Sequence, residues 1–117
     1  FINIGLESCD TPTLAQIGKP LDNTEVLEAF DKMVEINAIH ENIKVTGNFV
    51  IGKGLSDDHY QSLKELLRNT VPTSNKKGTI YLSPLKDSPK KRELLPLIKE
   101  IKEQSKIPVY VYLIQRL

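Results

Sequence analysis

Ile2-Asn3-Ile4-Gly5-Leu6-Glu7-Ser8-Cys9-Asp10 reads as a strand that runs out into a polar rim. Its apolar residues come first and its chemistry-bearing residues last, the order expected where a strand of an α/β protein delivers its C-terminal end to a site. Phe1 already stands inside the pattern, with no Met and no lead-in before it. The expectation is a piece of a longer protein that carries one wall of a site.

Three further runs have the same character: Ile43–Ile51, Thr79–Leu82 and Val109–Ile114. They are short and rich in Ile and Val, as strands of a parallel sheet are. Helical patterns lie between them. In Thr24–Ile39, the residues Val26, Leu27, Phe30, Met33 and Val34 recur at helical spacing, and Asp22 with Glu25 forms a capping-box pair. Asp57–Arg68 has Ser56 as its N-cap, two acids in its first turn, and a stripe of Tyr60, Leu63, Leu66 and Leu67. A short turn runs from Thr11-Pro12 to Ile17 and stops at Gly18. Near the C-terminus, Pro96 sits where an interior helix would need an amide, so the expectation is a turn over Lys90–Leu95 and a helix from Pro96 to about Gln104.

The order is thus β-α-β-α-β-α-β. Later strands recur about every 30 residues, close to the spacing in an eight-fold β/α barrel. The expected fold class is α/β: about four parallel strands with intervening helices, a partial, half TIM-like (β/α) barrel within one domain over residues 1–117. An open α/β sheet is the other arrangement of the same units. Both place function at the C-terminal ends of the strands.

The bulk numbers exclude several classes. With 39% hydrophobic and 26% charged residues the 117-residue chain suits a globular protein, and its net charge of +1 favours neither nucleic acid nor a lipid surface. No apolar run approaches the roughly 20 residues needed to span a bilayer. The single cysteine, Cys9, fits a reducing compartment, and a cytoplasmic location is expected. Lys76-Lys77 and Lys90-Lys91-Arg92 lack interleaved aromatics and read as solvated loops. His40, His59 and Cys9 have no partners at metal-ligand spacing, so no metal is expected on this chain. Both histidines stand at helix ends, where solvent-facing polar residues are ordinary. Gly47-Asn48-Phe49-Val50-Ile51-Gly52-Lys53-Gly54 approaches the phosphate-loop pattern, but the hydroxyl that would hold magnesium is replaced by Gly54 and the middle residues read as strand.

Four segments form the expected rim: Glu7-Ser8-Cys9-Asp10, Gly52-Lys53-Gly54, Ser83-Pro84-Leu85-Lys86-Asp87 and Gln115-Arg116. Glu7 and Ser8 offer groups for hydroxyls or an amine. Ser83-Pro84 sets free backbone groups beside an apolar surface, which suits a flat heterocycle.

These residues also carry a family resemblance. Ile4-Gly5-Leu6-Glu7-Ser8, followed by Asp10, Leu14 and Ile17-Gly18-Lys19, resembles the fourth-strand element of the radical S-adenosylmethionine (SAM) enzyme core, a G-L-E-S type stretch with D-x-x-L and a basic turn after it. Phe49-Val50-Ile51-Gly52-Lys53-Gly54, with Ser56-Asp57-Asp58 behind it, is similar to the fifth strand. Tyr81-Leu82-Ser83-Pro84-Leu85 looks like the sixth strand and Pro108–Ile114 like the seventh. The likeness covers nearly the whole chain, and its first block is the specific part.

The resemblance implies that Glu7 and Ser8 face the ribose or methionyl end of SAM. It implies that Asn48, Phe49 and Val50 lie along the adenine, and that Ser83, Pro84 and Leu85 touch it. Lys53, Asp87 and Arg116 would be free to reach a substrate, small molecule or peptide. The implied cofactors of the parent protein are SAM and a [4Fe–4S] cluster, whose reductive cleavage of SAM yields methionine and a 5′-deoxyadenosyl radical.

The C-x-x-x-C-x-x-C loop that would ligate the cluster is not in this chain, nor are the first three strands, and Gly47 and Gly52 do not keep the G-x-I-x-G spacing of the fifth. The implied partner is the missing N-terminal half of the same polypeptide. Without it, open sheet edges would favour self-association. Two other readings fit the same units: a stand-alone α/β ligand- or partner-binding module, and half of another β/α barrel such as an aldolase or phosphosugar isomerase.

Overall fold

The computed structural model describes residues 2–40, 42–52, 54–70, 80–84 and 91–111. The elements run β1 (Ile2–Glu7), α1 (Thr11–Gln16), α2 (Asn23–Ile39), β2 (Val45–Ile51), α3 (Asp57–Asn69), β3 (Ile80–Pro84), α4 (Lys91–Gln104) and β4 (Val109–Val111). The strands form one parallel sheet in the order β1-β2-β3-β4.

That sequential order is the informative part of the topology. Parallel crossovers are almost always right-handed, so a sheet that always steps the same way receives every helix on the same face. The core agrees. Leu6, Phe49, Ile51, Ile80, Leu82 and Val109 from the strands form one cluster with Val26, Phe30 and Met33 of α2, Leu63 and Leu67 of α3, and Leu94, Ile98 and Ile101 of α4. The sheet is open, an α/β arrangement consistent with a partial barrel and not a closed one.

The helices start where the local chemistry requires. Asp22 caps α2 and forms the reciprocal box with Glu25. Ser56 caps α3 by accepting from the His59 N–H, and Asp57 and Asp58 fill its first turn. Asp10 caps α1, and Gly18 (φ +80°) follows its end. Between β1 and β2 the contact is close: a β-carbon at Gly47 would lie 2.8 Å from Leu6 Cδ1 and 3.2 Å from Met33 Sδ. Glycine at this position lets α2 settle against the sheet.

α4 departs from expectation. It is one helix from Lys91, with Pro96 inside it, where a start at Pro96 is the sequence expectation. The reason lies in the stripe Leu94, Ile98 and Ile101, all buried. Leu94 joins that face only if the helix begins before Pro96. Burying a leucine contributes about 1.5–3 kcal/mol, comparable with the roughly 3 kcal/mol an interior proline costs. A 2.6 Å ion pair between Lys64, whose side chain is 8% exposed, and Glu100 ties α4 to α3.

Candidate functional site

The C-terminal ends of β1, β2 and β3 carry the expected rim, and α3 organises two of them. On β2, Gly52 is held at both backbone groups by one side chain: the Tyr60 hydroxyl donates to the Gly52 carbonyl at 2.6 Å and accepts from the Gly52 N–H at 3.0 Å. Burial pushes the Tyr60 phenol up, and the bond to the Gly52 carbonyl pulls the other way.

On β1, the partner is His59. Its Nε2 lies 2.8 Å from the Val50 carbonyl and its Nδ1 lies 2.7 Å from Ser8 Oγ. A carbonyl only accepts, so Nε2 carries the proton and Nδ1 accepts from the Ser8 hydroxyl. Ser8 Oγ in turn accepts from the Asp10 N–H at 3.0 Å. Ser8 and His59 are both fully buried. Burial holds the imidazole pKa below its ordinary value, opposed by the Val50 carbonyl and by Asp10, so the ring is neutral near pH 7. The Asp10 carboxylate takes the Thr13 hydroxyl at 2.7 Å and the Ser56 hydroxyl at 3.5 Å, which joins the caps of α1 and α3.

The expectation of a solvent-facing His59 is therefore corrected. His59 stands four residues before Leu63 and eight before Leu67, on the buried side of α3. That spacing is the signal which locates it; a polar residue at a helix start hides it. His40, by contrast, is exposed at the end of α2, as expected.

Glu7 has φ +73°, the left-handed region, and is the one non-glycine residue so placed among those described. Its carboxylate folds back over Gly5: a β-carbon there would lie 2.8 Å from Glu7 Oε1 and 3.7 Å from Lys19 Nζ. Half-burial raises the carboxyl pKa above its ordinary value, and the Lys19 ammonium partly offsets this. Gly5 pairs with Asn48, and Asn48 with Tyr81. These residues project to the face away from the helices. There Ser83 Oγ donates to Asn48 Oδ1 at 2.7 Å, and Tyr81 meets Tyr110 with ring centroids 5.8 Å apart.

The expected site residues thus separate by face. Glu7, Asn48 and Ser83 stand on the open face or its rim, with Pro84 at the end of β3. Ser8 is buried behind Glu7. The Phe49 side chain lies in the helix-side core against Phe30, centroids 6.5 Å apart, so only its backbone reaches toward the rim. Val50 is buried and lends His59 its carbonyl. Lys53, Leu85, Asp87 and Arg116 lie outside the described residues.

Cys9 is buried among core residues, and burial pushes its thiol up to about 12. A thiol that protonated is a poor nucleophile and a poor metal ligand. Among the described residues no three His, Cys, Asp or Glu side chains come together as metal ligands, and no helix is long and apolar enough to cross a membrane.

The rim offers a carboxylate beside an ammonium at β1, an amide–hydroxyl pair across β2 and β3, and an apolar edge at Pro84. Chemically, such a set can accept hydrogen bonds from hydroxyl donors and pack against a flat face. No family model, curated protein or solved structure matches this chain.

Proposed function

We propose that this chain is the C-terminal half of a radical SAM core barrel and contributes part of the SAM and substrate pocket. The observation that carries the reading is the singly wound sheet. Four parallel strands in sequential order keep their helices on one side, as half of a β/α barrel does, and among the described residues the other side carries Asn3, Asn48, Tyr81 and Ser83. The sequence resemblance supplies the ligand's identity.

In this reading the Glu7 carboxylate accepts from ribose hydroxyls or the methionyl amine. Asn48 has its amide N–H groups and Ser83 its hydroxyl lone pairs for the edge of an adenine, with Pro84 against the ring. The described residues do not fit a [4Fe–4S] cluster: the one thiol is buried and protonated. The cluster and its electron therefore belong to the upstream half of the parent protein. That half would cover the open face and add a strand at the free edge of β1, where Ile2 is 53% exposed. In its absence a second copy takes the same edge, so sedimentation of the isolated chain should show dimers whose fraction grows with concentration.

The test is a nuclear magnetic resonance titration of the ¹⁵N-labelled chain with S-adenosylhomocysteine and, separately, with inorganic phosphate. Half a pocket should bind the former on the order of 1 mM, with amide shifts concentrated at 5–10, 48–52 and 83. Shifts with phosphate alone would favour a phosphosugar barrel. No shifts with either at 10-fold that concentration, about 10 mM, would remove the SAM reading.

A further inference from the structure

We infer that Ser8 and His59 are positioning residues: their buried hydrogen bond holds the turn that aims the Glu7 carboxylate onto the open face of the sheet.

The turn is unusual in three respects that coincide. The Ser8 N–H donates to the Leu6 carbonyl at 2.9 Å, closing the chain over a single residue, Glu7. With φ +73° at that residue, this is the γ-turn hand that is rare and strained for a side chain with a β-carbon. The pairing of β1 with β2 also slips here, from Gly5 opposite Asn48 to Glu7 opposite Phe49, so Leu6 is an extra residue. A bulge of this kind bends a strand and re-aims its side chains. The result is the carboxylate lying over Gly5, where any β-carbon would collide with it.

Strained backbone persists only where its surroundings over-determine it. Here they do. Immediately after Glu7, the fully buried Ser8 is fixed from both sides, by the Asp10 N–H and by His59 Nδ1. His59 is itself fixed at Nε2 by the Val50 carbonyl and at its backbone N–H by Ser56 Oγ. The bonds run from the β1 turn through α3 to β2, so the direction of Glu7 is referred to the rigid part of the sheet. Two apolar residues could fill the same space. Only a directional pair fixes the rotation of the turn.

The part of Glu7 as a ligand group rests on the reading above. The hold of Ser8 and His59 on Glu7 does not, and it is testable with no ligand present. A residue with positive φ gives a strong nuclear Overhauser effect between its own amide and α protons. That signal should be strong at Glu7 in the unaltered chain. It should weaken to the level of neighbouring strand residues in Ser8→Ala and in His59→Gln, which keeps a donor for Val50 but no acceptor for Ser8. It should persist in His59→Asn, whose carbonyl stands where Nδ1 does. A strong Glu7 signal in folded Ser8→Ala and His59→Gln would overturn the inference. A second measurement needs no variant. Long-range ¹H–¹⁵N spectra of the unaltered chain at pH 7 should show His59 as the neutral ring protonated at Nε2. A ring protonated at Nδ1 would equally overturn it. A null S-adenosylhomocysteine titration with these signals present would fault the SAM reading alone.

Discussion

The two faces of the sheet are built from the same four strands and obey different rules. On the helix side, Leu6, Phe49, Ile51, Ile80 and Leu82 lose their water to three helices. On the other side, polar groups satisfy one another across neighbouring strands: Thr46 Oγ1 donates to Asn3 Oδ1 at 2.8 Å and Ser83 Oγ to Asn48 Oδ1 at 2.7 Å. The first face supplies stability by burial. The second keeps its hydrogen-bonding groups ordered, fully buried at Thr46 and partly buried at Asn48 and Ser83. Phe49→Ala and Tyr110→Ala test that division most sharply. The first removes a fully buried ring and should cost about 3–5 kcal/mol. The second removes a ring that is 44% exposed and paired with Tyr81, and should cost about 1 kcal/mol. Urea midpoints that moved equally would show the open face to be core as well.

The helix-side face also holds a defect whose removal should strengthen it. Pro96 is exposed and interior to α4, and it has no N–H for the carbonyl four residues earlier. Pro96→Ala restores that bond. The helix gains roughly 3 kcal/mol and the unfolded chain, less restricted, takes back up to about 1 kcal/mol. A net rise of about 2 kcal/mol in urea unfolding is expected. No rise would mean that the first turns of α4 contribute nothing to the fold.

What was legible in the sequence follows the same division. Periodicity reports burial of one helix face, so the stripes of α2 and α3 are read from spacing; β2, buried along both faces, is read from a short apolar run, and the caps Asp22 and Ser56 from their chemistry. The start of α4 is not, because the gain from burying Leu94 is a tertiary quantity that the local rule for proline omits. The rim is read only in outline. Glu7 and Ser83 are placed by their position at strand ends, and Asn48, in the middle of β2, only by the family resemblance. The roles of Ser8 and His59 depend on residues 51 apart in sequence meeting at 2.7 Å, which no local pattern encodes. The one local signal, His59 at the spacing of Leu63 and Leu67, is hidden by its place at a helix start, and the expectation of a solvent-facing ring misses it.

His59→Gln probes the junction between the two faces. It leaves the Ser8 hydroxyl without its acceptor and should cost about 1–3 kcal/mol at pH 7. Acid supplies an independent check. The folded-state pKa lies below the ordinary 6.5 of the imidazole, so the unfolded chain binds the proton first. The stability His59 contributes is therefore complete above pH 6.5 and is lost as the pH falls from there toward the folded pKa. Urea midpoints between pH 7 and pH 5 should fall in the unaltered chain and fall less in His59→Gln. Equal slopes would place the acid sensitivity elsewhere.

Glu7→Gln should have the smallest effect on stability and the opposite sign. The Glu7 carboxyl pKa is raised in the fold, so its favourable contribution is complete only below the unfolded value near 4.5 and is lost as the pH rises through the folded one. At pH 7 the ionised carboxylate is a slight burden on the folded state. Lys19 relieves part of it, and solvent on the exposed half screens the rest. Glutamine keeps the shape without the charge, so the urea midpoint at pH 7 should rise slightly, and the rise should shrink as the pH falls toward 4.5. The same substitution should abolish the S-adenosylhomocysteine shifts, because an amide cannot replace an anionic acceptor beside Lys19 without also presenting donors to the ligand's own donors. In the proposed reading, a group that weakens the fold where it is charged and stands in a strained turn serves the ligand and not the fold. If Glu7→Gln left both binding and stability unchanged, that argument would fail and the open face would lose its principal ligand group.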